Sequence, residues 1–304
     1  MIINKTISNP ETKRIFIYLA IVFGVYDCLW LTAVLLPEPV GKGVSAFLSF
    51  PAVFMGTPAL AVFITRKITA DKSPLKFSVQ FWKNKKALLF SACVPTAAIL
   101  CGIIVFFFIF PNDLDFSGKY ISQTYEAFGV PSEIRFTIFS MLTMGIILYI
   151  ISAVCFPVWF IALGEDIGWQ GYLLPLLCKK LPVRYAVMLN GALWGFAHAP
   201  LICFGMNYGN DYAGAPFTGI AMMVLTCMVL GVWSSYVTLK YNNCMYAAII
   251  HGAADIIGEA GAWVSLSTQS ALLGPMPTGM IGMSVLLTGA MLLLLKLPKH
   301  TVHR

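Results

Sequence analysis

Two of the chain's four histidines, His198 and His251, lie inside long apolar stretches, and a third apolar stretch ends in the carboxylate pair Glu165-Asp166. An ionisable side chain is costly at bilayer depth, so such residues are usually paired, face a cavity and serve function. Carboxylates and imidazoles are also the groups that move protons to and from water or hold a catalytic metal. Water activation inside a membrane is therefore the chemistry to test first.

Local spacing sharpens each segment. In GEDIGWQGYLLP the acids Glu165 and Asp166 are adjacent, so on a helix they point about 100° apart and serve different partners. Asp166 and Gln170 are four apart, which predicts a side-chain hydrogen bond along one face. The bland alternative is a solvated helix end whose acids answer the helix dipole. In NGALWGFAHAPLI, Trp194 and His198 are one turn apart, and Pro200 disturbs the backbone bonding beside them, as often happens next to a cavity. A single inter-helix hydrogen bond is the alternative there. In YAAIIHGAADIIGEAGAW, His251, Asp255 and Glu259 recur every four residues and form one stripe that must face protein or water. An ion or proton pathway is the rival reading of that stripe. Asp27 is an isolated acid in the first apolar stretch, expected to have a structural partner or a wet crevice. His300 and His303 lie in a basic tail and read as solvated.

The elements that position these residues follow from composition. The chain is 59% hydrophobic and 11% charged, with a mean hydropathy of +0.81. A soluble protein of 304 residues could not hide that much apolar surface. The expected class is all-α and polytopic, because the apolar runs are too long and unalternating for barrel strands. Runs of about 20 residues place eight spans near 15–36, 45–65, 87–110, 136–163, 185–206, 216–239, 244–266 and 279–297. The fifth and eighth are the least regular. No cleavable signal peptide is expected, since the N-terminal segment is polar and the apolar run after it is long enough to span. The eight cysteines fall mostly inside apolar runs, form no CxxC pair, and read as small buried hydrophobes.

Charge sets the orientation. The connection 66–86 carries Arg66, Lys67, Lys72, Lys76, Lys83, Lys85 and Lys86 against Asp71, whereas 111–135 carries Asp113, Asp115, Glu126 and Glu133 against Lys119 and Arg135. Lys179, Lys180 and Arg184 follow the fourth span, and Lys296, Lys299 and Arg304 follow the eighth. With both termini cytoplasmic, every basic cluster falls on the cytoplasmic side. The net charge of +7 is thus an orientation signal, and no aromatic-interleaved basic surface supports nucleic-acid binding. No internal repeat divides the chain, so residues 1–304 read as one membrane domain with a core near 150–260.

The three segments together resemble a known family. Glu165-Asp166 with Gly168-Trp169-Gln170-Gly171-Tyr172-Leu173-Leu174-Pro175 resembles the EExxxR motif of the CPBP family, the CAAX-protease and bacteriocin-processing (Abi) intramembrane endopeptidases. Trp194-xxx-His198 resembles its second motif and His251-xxx-Asp255 its third, in the family's order. The resemblance implies a CAAX-protease-like helical bundle with a cytoplasm-facing cavity in which a peptide bond is hydrolysed. It implies that Glu165 and His198 activate water while His251 and Asp255 stabilise the oxyanion, roles that suit carboxylate, imidazole and hydrogen-bond donors. The family is often described as metalloprotease, in which case Glu165, His198 and His251 would hold a divalent metal such as zinc and leave one position open. The implied partners are a membrane-associated peptide or protein substrate and the lipid bilayer, in a bacterial cytoplasmic membrane.

This sequence departs from the pattern twice. Gln170 replaces the motif's arginine, which removes an ionic partner from Asp166. Asp255 stands where an asparagine could donate to an oxyanion and an ionised aspartate cannot. The first departure motivates a rival, a non-catalytic membrane scaffold or regulator. A proton-coupled transporter using His251, Asp255, Glu259 and Asp27 is the other rival, although repeated halves are not visible.

Overall fold

The computed structural model describes residues 9–119 and 158–298, with a few isolated positions between them. The expected fourth span, 136–163, lies mostly outside the described residues. Among those described the chain is helical, and the only extended pairing is the single bridge Leu114–Ser265. The chain is an all-α, multi-pass membrane protein.

Among the described residues five helices are long and apolar enough to cross a bilayer: α1 (Pro10–Leu35), α3 (Pro51–Thr69), α4 (Lys85–Ile109), α7 (Val183–Cys203) and α8 (Phe217–Tyr241). Between and after them lie α2 (Val40–Ser49), α5 (Val158–Asp166), α6 (Leu174–Cys178), α9 (Met245–Gly258), α10 (Ala260–Trp263) and α11 (Ser284–Lys296). The expected seventh span breaks at Glu259 into α9 and α10. The eighth starts later than expected, because the Gly- and Pro-containing stretch before Ser284 forms turns instead of helix. The pause expected at His198 does occur: α7 consists of the segments Val183–Ala197 and Ala199–Cys203, with Pro200 in the first turn of the second.

Helix ends follow their local chemistry. Asn9 caps α1, its side chain accepting from the backbone N–H groups of Glu11 and Thr12, with Pro10 beside it. Asn84 caps α4 through the N–H of Ala87. α8 ends on Asn242 in the left-handed region (φ 55°), with Lys240 in its last turn. Large apolar side chains such as Phe16, Leu60, Ile104, Phe108 and Leu295 point outward, as lipid-facing helices require.

Contacts gather the basic segments onto one face. Lys179 and Lys180 approach Glu11 at the start of α1, at 3.6 and 3.9 Å. Arg184 donates to the carbonyl of Leu295 at 2.7 Å, bringing the end of α11 to the same place. The N–H of Cys244 donates to the carbonyl of Lys76 at 2.7 Å, and that of Ser78 to Asn243 Oδ1 at 3.0 Å. The opposite face is tied by Asp113, which accepts hydrogen bonds from the side chains of Ser265 and Thr268, and by Leu266 N–H donating to the Asp113 carbonyl at 2.8 Å. The charge asymmetry of the loops is therefore an asymmetry of the folded molecule.

Asp71 organises the basic face. It accepts from Ser73 N–H and O–H at 2.9 and 2.7 Å, pairs with Arg14 at 3.2 Å, and accepts from Tyr172 at 3.3 Å. Burial opposes its ionisation, but the Ser73 hydrogen bonds and the charges of Arg14 and Arg66 outweigh burial and hold its pKa below 3.8. A lowered carboxylate pKa means stability that is complete above the unfolded value and disappears as pH falls through the folded one. Asp71→Asn is accordingly expected to be less thermostable than wild type in detergent at neutral pH. The gap should narrow as the pH is brought below about 4, the range in which an unfolded aspartate protonates. A gap independent of pH would show that Asp71 does not act through its charge.

Candidate functional site

Four helical segments converge behind this face. α5 carries Glu165 and Asp166 at its last two positions, both 1% exposed. The chain then winds as a π-helix over Ile167–Leu173, a form that often marks functional sites because it places an extra residue in the turn. Glycine makes that approach close: a Cβ on Gly168 would stand 2.4 Å from Pro58 Cβ of α3 and 2.5 Å from the Tyr18 hydroxyl of α1. On α7, a Cβ on Gly195 would meet the Cα of Val224 at 2.4 Å, so glycine lets α8 lie directly against the turn between Trp194 and His198.

His251 is the hub of the site. Its Nδ1 lies 3.1 Å from Asp166 Oδ2, while its Nε2 lies 3.6 Å from Glu165 Oε2 and 3.7 Å from Asp255 Oδ2. Both ring nitrogens therefore face carboxylate oxygens. Trp194 Nε1 donates to Glu165 Oε1 at 3.2 Å, and its ring meets that of His251 edge-on at 5.0 Å. Glu165 Oε2 is buried and makes no hydrogen bond among the described residues, and it faces His251 Nε2. His198 Nδ1 lies 2.9 Å from the carbonyl oxygen of Trp194. A carbonyl can only accept, so Nδ1 carries a proton, and in the neutral form of the ring Nε2 is the acceptor.

Of these groups, Trp194, His198, His251 and Asp255 border a cavity of about 250 Å³. The rest of the wall is largely apolar, with Phe54, Leu201, Met223, Leu230 and Leu286 among its side chains. The cavity reaches Ser49 and Pro51 on one side, and Asn207 and Thr278 on another. Residues of the basic connections 70–84, 179–182 and 242–244 are absent from this wall.

Several expectations change. Asp166 does not pair with Gln170: it binds His251, and Gln170 Oε1 accepts instead from Ser235 at 2.9 Å. Glu165 is held by Trp194 and faces His251, so the sequence-based pairings of Glu165 with His198 and of Asp255 with His251 become one cluster centred on His251. Of the stripe on α9, His251 is buried, Asp255 is 42% exposed beside the cavity, and Glu259 is exposed. Asp27 is exposed on α1 and lines no part of the cavity. His300 and His303 lie outside the described residues. The implied metal set also fails a geometric test. Among the described residues no three His, Cys, Asp or Glu side chains converge as ligands, so Glu165, His198 and His251 do not form a metal cage in this conformation. The Trp194–Glu165 bond was missed by sequence reasoning, although Trp194 sits inside the second motif.

No curated protein matches the chain. A family model does: residues 145–257 match that of the type II CAAX prenyl endopeptidase Rce1-like proteins. The matched stretch takes in every site residue from Glu165 to Asp255. The match is to the family that the three motifs resemble, and it covers residues 145–257 of the 304.

Proposed function

We propose that the protein is an intramembrane endopeptidase that hydrolyses a peptide bond of a membrane-associated peptide or protein, with Glu165 as general base. The observation that carries this reading is the buried Glu165 carboxylate. One of its oxygens is fixed by Trp194; the other makes no hydrogen bond and lies 3.6 Å from Nε2 of His251, a ring that borders the cavity together with His198. A water held there is deprotonated as it adds to the scissile carbonyl, and the proton passes to the departing amine. In this reading His198, on the cavity wall, relays that proton through Nε2. His251, polarised by Asp166, presents Nε2 toward the reacting oxygen, and Asp255 positions that ring from the cavity side.

Gln170 is compatible with this role, because Asp166 takes its orientation from His251 and needs no arginine. That removes the main motive for a non-catalytic scaffold. The membrane is read as a bacterial cytoplasmic membrane with both termini inside, which the basic face of the molecule supports.

Purified protein in detergent, given a panel of apolar peptides, is expected to release cleavage products. Activity that persists in chelator accords with the absence of a three-ligand cage among the described residues. Activity abolished by chelator and restored by zinc would assign Glu165, His198 and His251 to a metal after rearrangement. Absence of cleavage across the panel and on membrane-embedded substrates would overturn the reading.

A further inference from the structure

Polar side chains are also buried in a second place, one helical turn from the Glu165–His251 cluster and outside the cavity wall. Asn190 on α7 is 0% exposed, and neither its amide oxygen nor its amide nitrogen has a hydrogen-bond partner among the described residues. Gln170, in the π-helical turn, is equally buried. Ser235 of α8 occupies its oxygen at 2.9 Å, while its Nε2 has no partner among the described residues. Ser234 and Thr238 on α8 are both 0% exposed, and neither hydroxyl has a partner among those residues. None of these side chains lines the cavity.

Packing brings them to one level of the bundle. A Cβ on Gly231 would stand 3.3 Å from the Cα of Gly191, so α8 crosses α7 beside Asn190, one turn before Ser234 and Ser235. The π-helical turn touches both helices, and the Ser235–Gln170 bond fixes it to α8. Asn190 precedes Trp194 by four residues, so the two share a face of α7, about 6 Å apart along its axis. Gln170 follows Asp166 by four residues. Trp194 binds Glu165, and Asp166 binds His251. The buried polar group therefore lies one turn behind the residues that hold the site together. It lies on their basic-face side, because α7 starts beside Lys179 and Lys180, the π-helical turn leads to the same lysines through α6, and α8 ends at Lys240.

An amide carries two donors and an acceptor oxygen with two lone pairs. Burying these unpaired costs their whole hydration. A buried water pairs with about three such groups, and proteins retain water where otherwise unpaired polar groups are enclosed. The side chains here are all neutral, which favours water over an ion.

We propose that Asn190, Gln170 and Ser234 hold ordered water between α7, α8 and the π-helical turn, and that this water replaces the molecule consumed at Glu165. Each hydrolysis takes one water: its oxygen joins the acyl carbon as the C–N bond breaks, and its hydrogens end on the new carboxyl and amine groups. The largely apolar cavity wall offers little to retain a successor. That water is bound stands on burial and packing alone; its use rests on the peptidase reading.

The test is a structure of the full chain in lipid nanodiscs at a resolution that shows ordered water, together with two variants. Water is expected within about 2.7–3.2 Å of Asn190 and of Gln170 Nε2 or Ser234 Oγ. Direct bonds among these side chains, or a dry contact, would overturn the proposal. Asn190→Leu is close in shape and is expected to melt about 2–4 °C lower, the shift that accompanies one lost hydrogen bond in a large domain. A higher melting temperature would mean that the amide is unpaired and dry, and would overturn the proposal as well. Ser234→Ala is the milder change, expected to melt lower in the same direction, and it decides the matter if the leucine variant does not fold. In the cleavage assay kcat of both variants should fall severalfold with KM unchanged, since neither residue touches the cavity. Unchanged kcat beside bound water would overturn the supply role. Bound water in a protein that cleaves nothing would sink the peptidase reading and leave the water site standing.

Discussion

Glu165→Gln is expected to lower peptide cleavage by about 10²–10⁴-fold, the usual contribution of a positioned general base, while leaving the protein folded. The replacement keeps shape and keeps the acceptor that Trp194 uses, since the amide oxygen can take the Nε1–H now bonded to Glu165 Oε1. What it removes is the negative charge and the proton-accepting oxygen facing His251. The loss should therefore appear in kcat, with KM nearly unchanged, because the cavity wall that receives the peptide is untouched. Glu165→Ala is the harsher comparison. It strips the buried indole N–H of its acceptor, so a stability loss of about 1–3 kcal/mol accompanies the inactivation. Steady-state kinetics with a thermal melt on each variant separates the two effects. Full activity in the glutamine variant would remove Glu165 from the chemistry and would leave the carboxylate a purely structural role.

That separation matters because sequence and structure contributed different parts of the site. The membrane class, the helical architecture and the segments around Glu165, His198 and His251 were legible from hydropathy and from ionisable residues inside apolar runs. Pairing was legible only in part. Helical spacing reports neighbours within one helix, so it suggested His251 with Asp255, which lie 3.7 Å apart, and Asp166 with Gln170, which do not pair. The strongest contact of Asp166 is instead with His251, on a helix 85 positions away in sequence. The π-helical turn after Asp166 was equally hidden, since it arises from the close packing of Gly168 on Pro58 and Tyr18 and not from local propensity. Asp27 shows the opposite error. An acid in an apolar run was expected to be buried or paired, whereas it sits on the exterior of α1. Span counting was limited in its own way, because α9 and α10 are interrupted at Glu259 and the segment before α11 is turns. Window hydropathy averages over both features.

The second large effect concerns His251, which stands among three carboxylates. His251→Ala is expected to destabilise the folded protein by about 3–5 kcal/mol, the typical result of breaking a buried ion pair by removing one partner. Glu165 and Asp166, each 1% exposed, would both lose the imidazole they contact, and Asp166 its hydrogen-bond partner. Activity should vanish with it, but so would the activity of any unfolded variant, and only a cycle distinguishes the causes. Asp166→Asn alone removes the acceptor at 3.1 Å from His251 Nδ1 and is expected to cost stability as well. In the double variant the acid that His251 would have satisfied is already neutral. The second loss is therefore smaller than the first, and the two deletions should fall short of additivity by about 0.5–3 kcal/mol, the range for residues in one network. Reversible unfolding in mixed micelles gives the four free energies required. Strict additivity would mean that His251 and Asp166 stabilise the fold independently. The cluster would then be four neighbouring polar residues and not a coupled site, and the polarised imidazole assigned to the reaction would lose its physical basis.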